Sequence, residues 1–143
     1  MRRNQKGFTL IELLAVIVIL AVIALIATPL IMNVINDAKK GADRDAAYGV
    51  IKAIETSAMQ KMALDPTYDV PASCTIGSDK TKCGDLTVNY KGTQPEKAVI
   101  YFDQDRGSVK QGSYVKMKSG YFVMEASGTF PGEPVATEPS PAP

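Results

Sequence analysis

From Phe8 to Met32 the chain carries a single charged side chain, Glu12, in a run that is otherwise almost wholly apolar. Leu13 to Thr28 consists almost entirely of Leu, Ile, Val and Ala. A bilayer core needs roughly 20 such residues, so residues 8–35 read as a membrane helix. Pro29 falls inside the run. It has no N–H to offer the carbonyl of Leu25 and should kink or loosen the helix there. The helical period does not stop at the polar boundary near Asn33. Ile35, Ala38, Ala42 and Ala46 continue it, followed by Val50, Ile51, Ile54, Ala58 and Met62 among polar neighbours. This predicts one helix from Phe8 to about Leu64, its second half outside the membrane with one face packed on something. Gly41 and Gly49 each weaken it by about 1 kcal/mol relative to alanine, and a flexible point is expected between Asp37 and Asp45.

Asp65-Pro66 ends the helical pattern. Residues 67–84, with Pro71, Cys74, Cys83 and Gly84, read as a loop. Strand periodicity then appears at Leu86, Val88 and Tyr90, at Ala98 to Phe102, at Tyr114 to Met117 and at Tyr121 to Glu125. The sum is an α+β fold: a long N-terminal helix packed on a three- or four-stranded antiparallel meander. From Pro131 the chain holds five prolines in thirteen residues and little to bury, which predicts a disordered or extended tail. The organisation expected is a leader (1–7), a helix (8–64), a head (65–130) and a proline-rich tail (131–143).

Charge adds direction. Arg2, Arg3 and Lys6 precede the apolar run without an acid among them, which should hold that end in the cytoplasm and send the C-terminal domain across the membrane. Without those three, 13 basic side chains face 15 acidic ones, a balance that argues against a bulk binder of nucleic acid. Cys74 and Cys83 are the only cysteines, and an exported pair reads as one disulfide, with two free thiols as the alternative. The chain has no histidine, which excludes serine or cysteine triads and histidine-based zinc sites in their usual forms. Neither paired carboxylates in the globular part nor a glycine-rich phosphate loop is seen, so no enzyme and no cofactor are expected. Asp103 to Gly107 has some acidic character but lacks the carboxylates of a calcium loop and reads as a hairpin turn. Lys110, Lys116 and Lys118 could form a basic strip, although a solvated strand face explains them as well.

The most specific pattern lies at the junction of leader and helix. An ordinary secretory signal is cut after its apolar stretch; here the only suitable small residue, Gly7, lies before it. The string Lys6-Gly7-Phe8-Thr9-Leu10-Ile11-Glu12 resembles the class III signal of type IV pilins and pseudopilins. The resemblance implies cleavage between Gly7 and Phe8 by a prepilin peptidase, a glycine fitting a cleft where a Cβ would collide, and N-methylation of the new amine of Phe8. It also implies that Glu12, fifth after the cut, pairs with that amine during assembly. Taken alone, Glu12 would be an interfacial glutamate reaching for headgroups, since a carboxylate at mid-membrane costs about 2.5–3.5 kcal/mol. Pro29 matches a proline that pilins carry at this distance, while Gly49 stands where many have a second. Many pilins place their disulfide near the C-terminus, so the adhesive role of that loop does not transfer to Cys74–Cys83. The resemblance implies a structural subunit that polymerises into a helical homo-oligomeric filament. Its partners would be the peptidase/methyltransferase, pilus assembly machinery and, before assembly, membrane lipid, and it would move from the cytoplasmic membrane to an extracellular pilus. A pseudopilin of a secretion or DNA-uptake machine is the alternative within the family; a single-span anchored binding protein that never polymerises is the alternative outside it.

Overall fold

The computed structural model describes residues 7–140. Met1 to Lys6, six of the seven leader residues, and the last three residues of the tail lie outside that range. The chain divides into two compact units, Met1–Ala38 and Lys39–Pro143, and the helix α1 (Leu10–Leu64) contributes to both.

In the first unit α1 begins two residues later than the periodicity predicts and runs through Pro29 without a break. None of the residues from Phe8 to Ile35 is buried: Leu25, for instance, is 78% exposed and Ile23 56%. The helix satisfies its own backbone, and the Thr28 hydroxyl donates to the Ala24 carbonyl at 2.6 Å, so even this polar side chain is spent within the helix. It is long and apolar enough to cross a membrane.

The second unit is an α+β head. The expected flexible stretch from Asp37 to Asp45 is helical. Ala47, Val50, Ile51, Ile54 and Ala58 form the buried stripe of α1, in line with the 3.6-residue period, whereas Ile35, Ala38 and Ala42 stay exposed. The stripe shares one core with a sheet of β1 (Ser73–Ile76), β4 (Lys97–Asp103), β6 (Tyr114–Met117) and β7 (Gly120–Val123), in that spatial order. All pairings are antiparallel. β4 alternates strictly, burying Ala98, Ile100 and Phe102. Against them lie Val115, Met117 and Phe122, the in/out alternation of a sheet covered on one face.

Two sequence expectations need correction. The loop expected at residues 67–84 contains β1, which pairs with β4 from Ser73↔Tyr101 to Ile76↔Ala98 and forms the sheet edge. It is only four residues long, follows Pro71 closely and contains Cys74, so local pattern does not reveal it. Conversely, the strand expected from Leu86 to Tyr90 does not join the main sheet. β3 (Leu86–Thr87) pairs instead with β2 (Lys82–Cys83) in a separate hairpin. Gly84, at φ +64°, supplies the first position of that tight turn.

The described part of the proline-rich segment follows an irregular path but makes defined contacts, beginning with an antiparallel bridge Tyr121↔Val135. Short β5 (Ser108–Val109) pairs back on β4 after the turn at Asp103–Gly107. Within that turn the Asp103 carboxylate accepts from the Asp105 amide at 3.2 Å and the Gly107 amide donates to the Asp103 carbonyl at 2.7 Å, as a hairpin turn requires.

Three side chains of α1 fasten the sheet and its loops by accepting backbone N–H groups: Asp43 from Ser119 at 2.9 Å, Tyr48 from Phe130 at 2.7 Å, and Glu55 from Val109 at 3.0 Å. Each recruits a donor that the sheet ladder leaves unpaired. Tyr48 also meets the Phe130 ring edge-to-face at 4.7 Å.

Candidate functional site: the helix entry and the clasped head

The residues singled out at the N-terminus are close in sequence, and the helix start organises them. Gly7 and Phe8 precede α1 outside any regular element; Phe8 is 88% exposed, and a Cβ built on Gly7 would meet nothing within 4 Å. Any demand for a small residue at this position therefore does not come from the chain's own packing.

Thr9 stands at the N-cap. Its amide and its hydroxyl both donate to Glu12 Oε2 at 2.8 Å, and the Glu12 amide donates back to Thr9 Oγ1 at 3.3 Å. This reciprocal arrangement is a capping box. It satisfies donors that the first helical turn leaves open and places a negative charge at the positive end of the helix dipole. Thr9 was not among the residues picked out by sequence reasoning, although Thr-x-x-Glu ahead of an apolar run is the written form of this cap. Glu12 is thus a side chain with a defined orientation beside the backbone just after Gly7-Phe8. Pro29 lies farther along the same unit and is exposed; the structure does not bring it to this cluster.

In the head, Cys74 of β1 and Cys83 of β2 form the expected disulfide, with Cα atoms 5.2 Å apart. Both cysteines belong to the hydrophobic core. The bond ties the edge strand of the main sheet to the small hairpin. A second tie joins that hairpin to the end of the helix. Lys61 donates to Asp85 at 2.5 Å and lies 4.1 Å from the centre of the Tyr68 ring, while the Tyr68 hydroxyl donates to Asp85 at 2.8 Å. Lys61 and Tyr68 hold the Asp85 carboxyl below its usual range. Burial, reinforced by the hydrogen bond to Asp85, pushes the Tyr68 phenol up to about 12. Beside this cluster an open groove of about 620 Å³ runs along Lys52, Thr56, Gln60 and Thr87.

A third polar cluster lies on the sheet. Glu138 accepts from Lys97 and from the Tyr114 hydroxyl, each at 2.5 Å. Burial and the hydrogen bond to Glu138 push Tyr114 up to about 12, and Glu138 is held down by Lys97 first and Tyr114 second. Of the lysines considered as a basic strip, Lys116 is paired with Glu96 at 3.2 Å, and Lys118 is exposed beyond the end of β6. The Lys61–Tyr68–Asp85 and Lys97–Tyr114–Glu138 clusters were not legible from sequence, because their members come from distant parts of the chain.

The comparisons with known proteins fit this arrangement. Residues 2–28 match the family model described as the prokaryotic N-terminal methylation motif. A fimbrial protein of Dichelobacter nodosus is 30% identical, the match covering 68% of this chain and 74% of the relative. No solved structure matches. A methylation motif, a long apolar helix and an antiparallel head define a pilin-type subunit. The chain belongs to the type IV pilin and pseudopilin family, and membrane anchoring with a pilus-related surface location goes with that membership.

Proposed function

We propose that this protein is a structural subunit of a type IV pilus, cut between Gly7 and Phe8, N-methylated on Phe8, and polymerised through the first half of α1. It performs no catalysis of its own. The observation that carries the reading is that none of the apolar side chains from Phe8 to Ile35 is buried, in a stretch whose start carries a capped carboxylate. In water this surface costs about 25 cal/mol per Å². In lipid it is at ease, and in a bundle of identical helices it stays dry while gaining close packing. Release from lipid thus becomes feasible only into a polymer.

The capping box supports a role for Glu12 in that step. Its carboxylate is already turned toward the backbone of residue 9, next to where cleavage would create a cationic amine. Charge attraction there operates in a low-dielectric setting, where it is least screened. The head, with its disulfide and its ties to α1, would then form the outer surface of the fibre.

Shearing cells, collecting the released filaments and determining the N-terminal mass of their main subunit tests this directly. The expected result is filaments built from a chain that begins with methylated Phe8. A chain found only in membranes, with residues 1–7 attached, would overturn the proposal.

A further inference from the structure

Tyr114 is buried in an unexpected place. The alternation of β4 and β6 sends Ala98, Ile100, Phe102, Val115 and Met117 into the core with the α1 stripe. Lys97, Val99, Tyr114 and Lys116 therefore occupy the outer face. The register runs Lys97↔Lys116↔Tyr121 in one row and Val99↔Tyr114↔Val123 in the next. A tyrosine on such a face should be wet, yet Tyr114 is only 3% exposed.

The chain's own C-terminal segment contributes to its cover. After Phe130, the last core residue, Glu133 pairs with Lys40 at 2.7 Å. Val135 then exchanges both backbone hydrogen bonds with Tyr121, each 2.8 Å. Finally Glu138 reaches Lys97 and the Tyr114 hydroxyl, while the Tyr121 ring meets Tyr114 edge-to-face at 5.7 Å. Gly120 permits the approach: a Cβ there would lie 2.8 Å from the Val135 carbonyl oxygen. The segment behaves as an acidic peptide in a built site, with a buried phenol and an ammonium on one carboxylate oxygen and a strand edge for its backbone.

The attachment is strong in geometry and weak in energy. It consists of a two-bond bridge, the Tyr114 hydroxyl on Glu138 and two ion pairs at the surface, and pairs so exposed contribute little. Val135 remains 41% exposed, so little apolar surface holds the segment down. Phe130, by contrast, is fastened to Tyr48 through both its amide and its ring. The segment can therefore leave from Pro131 onward without disturbing the core. In a polymer every copy carries the same segment and the same site, so exchange between copies sacrifices no contact. Tethering on adjacent subunits gives effective concentrations on the order of mM.

We infer that the outer face of the sheet at Lys97, Tyr114 and Tyr121 is an interface between copies, which in the assembled fibre receives the acidic C-terminal segment of a second copy. The inference rests on the filament reading and adds a head-to-head clasp to a polymer otherwise held by its helices.

A zero-length carbodiimide, which condenses an amine and a carboxylate already in contact, tests it. Fibres are treated, digested and searched by mass spectrometry for a Lys97–Glu138 amide, with isotope-mixed subunits separating interchain from intrachain links. The wild type should give interchain links. Fibres of Lys97→Gln alone or Glu138→Gln alone should give none, and fibres co-assembled from the two variants should recover the interchain link between an intact Lys97 and an intact Glu138. Wild-type fibres with only intrachain amide, and mixed fibres with none, would overturn the inference while leaving the filament reading intact. Absence of any Lys97–Glu138 amide would remove the site itself. Failure of the wild type to form fibres would remove the filament reading and this inference together.

Discussion

Opening the Cys74–Cys83 bond should cost the head more than losing any one of its surface ion pairs. The bond closes a loop with a sequence separation of 9. By loop-closure entropy a constraint of that size contributes about 2–3 kcal/mol, through the unfolded chain. The folded side offers nothing to replace it. β1 is an edge strand held by β4 alone in the main sheet, and the β2–β3 hairpin pairs over only two residues on each strand. For a domain of this size each kcal/mol moves the melting temperature by about 4–8 °C, so reduction should lower it by about 8–24 °C. The assay is near-ultraviolet circular dichroism of the tyrosines in detergent-solubilised full-length protein, with and without reductant, beside Cys74→Ala/Cys83→Ala. The far-ultraviolet signal of the first half of α1 should change little. A drop below about 3 °C would refute the entropy argument, and so would complete thiol labelling of the folded, unreduced protein.

Three further outcomes are expected. Gly7→Ala should be processed better than Gly7→Val, because the structure is open at Gly7 and the size limit lies in the protease cleft; mass spectrometry of the membrane fraction decides, and equal processing of both would show that size is not the criterion. Glu12→Ala should leave insertion and cleavage intact yet sharply lower the sheared-fibre yield, and a normal yield would sink the assembly role of this carboxylate. In alkaline titration followed by phenolate absorbance, Tyr68 and Tyr114 should ionise near 12. Because their folded values are raised, the stability they add is fully present below about 10 and is lost between about 10 and 12. Asp85 has the opposite sign: its folded value is lowered, so its contribution holds above the ordinary carboxylate range and is lost as pH falls through the folded value. Asp85→Asn should therefore flatten the acid limb of the stability curve, and an unchanged acid limb would refute its place in the Lys61–Tyr68 cluster.

The long helix and its two environments were legible in the sequence, because both rest on local periodicity. Twenty-five residues of apolar run and a stripe at 3.6-residue spacing each specify a helix face without reference to distant chain. The junction at Gly7-Phe8-Thr9-Leu10-Ile11-Glu12 was legible for the same reason, and even the overlooked Thr9 cap is written there within four residues. β4, with its strict alternation, and β6 and β7, separated by a two-residue turn, follow the same logic.

What only the tertiary structure decided depends on who meets whom across the head. β1 reads as a loop because its strand character comes from pairing with β4, whose partner residues lie more than twenty positions later. Leu86 to Tyr90 has strand chemistry, but the main-sheet edge beside β4 is taken by β1, and the disulfide draws Cys83 and Leu86 into a hairpin of their own. The proline-rich segment has too little apolar surface to declare a structure by itself; its order comes from Lys40, Lys97, Tyr114 and the free edge of β7. Ion pairs and backbone bridges of this kind carry no period. Their partners are brought together by the packing of α1 on the sheet, and sequence spacing is silent about that.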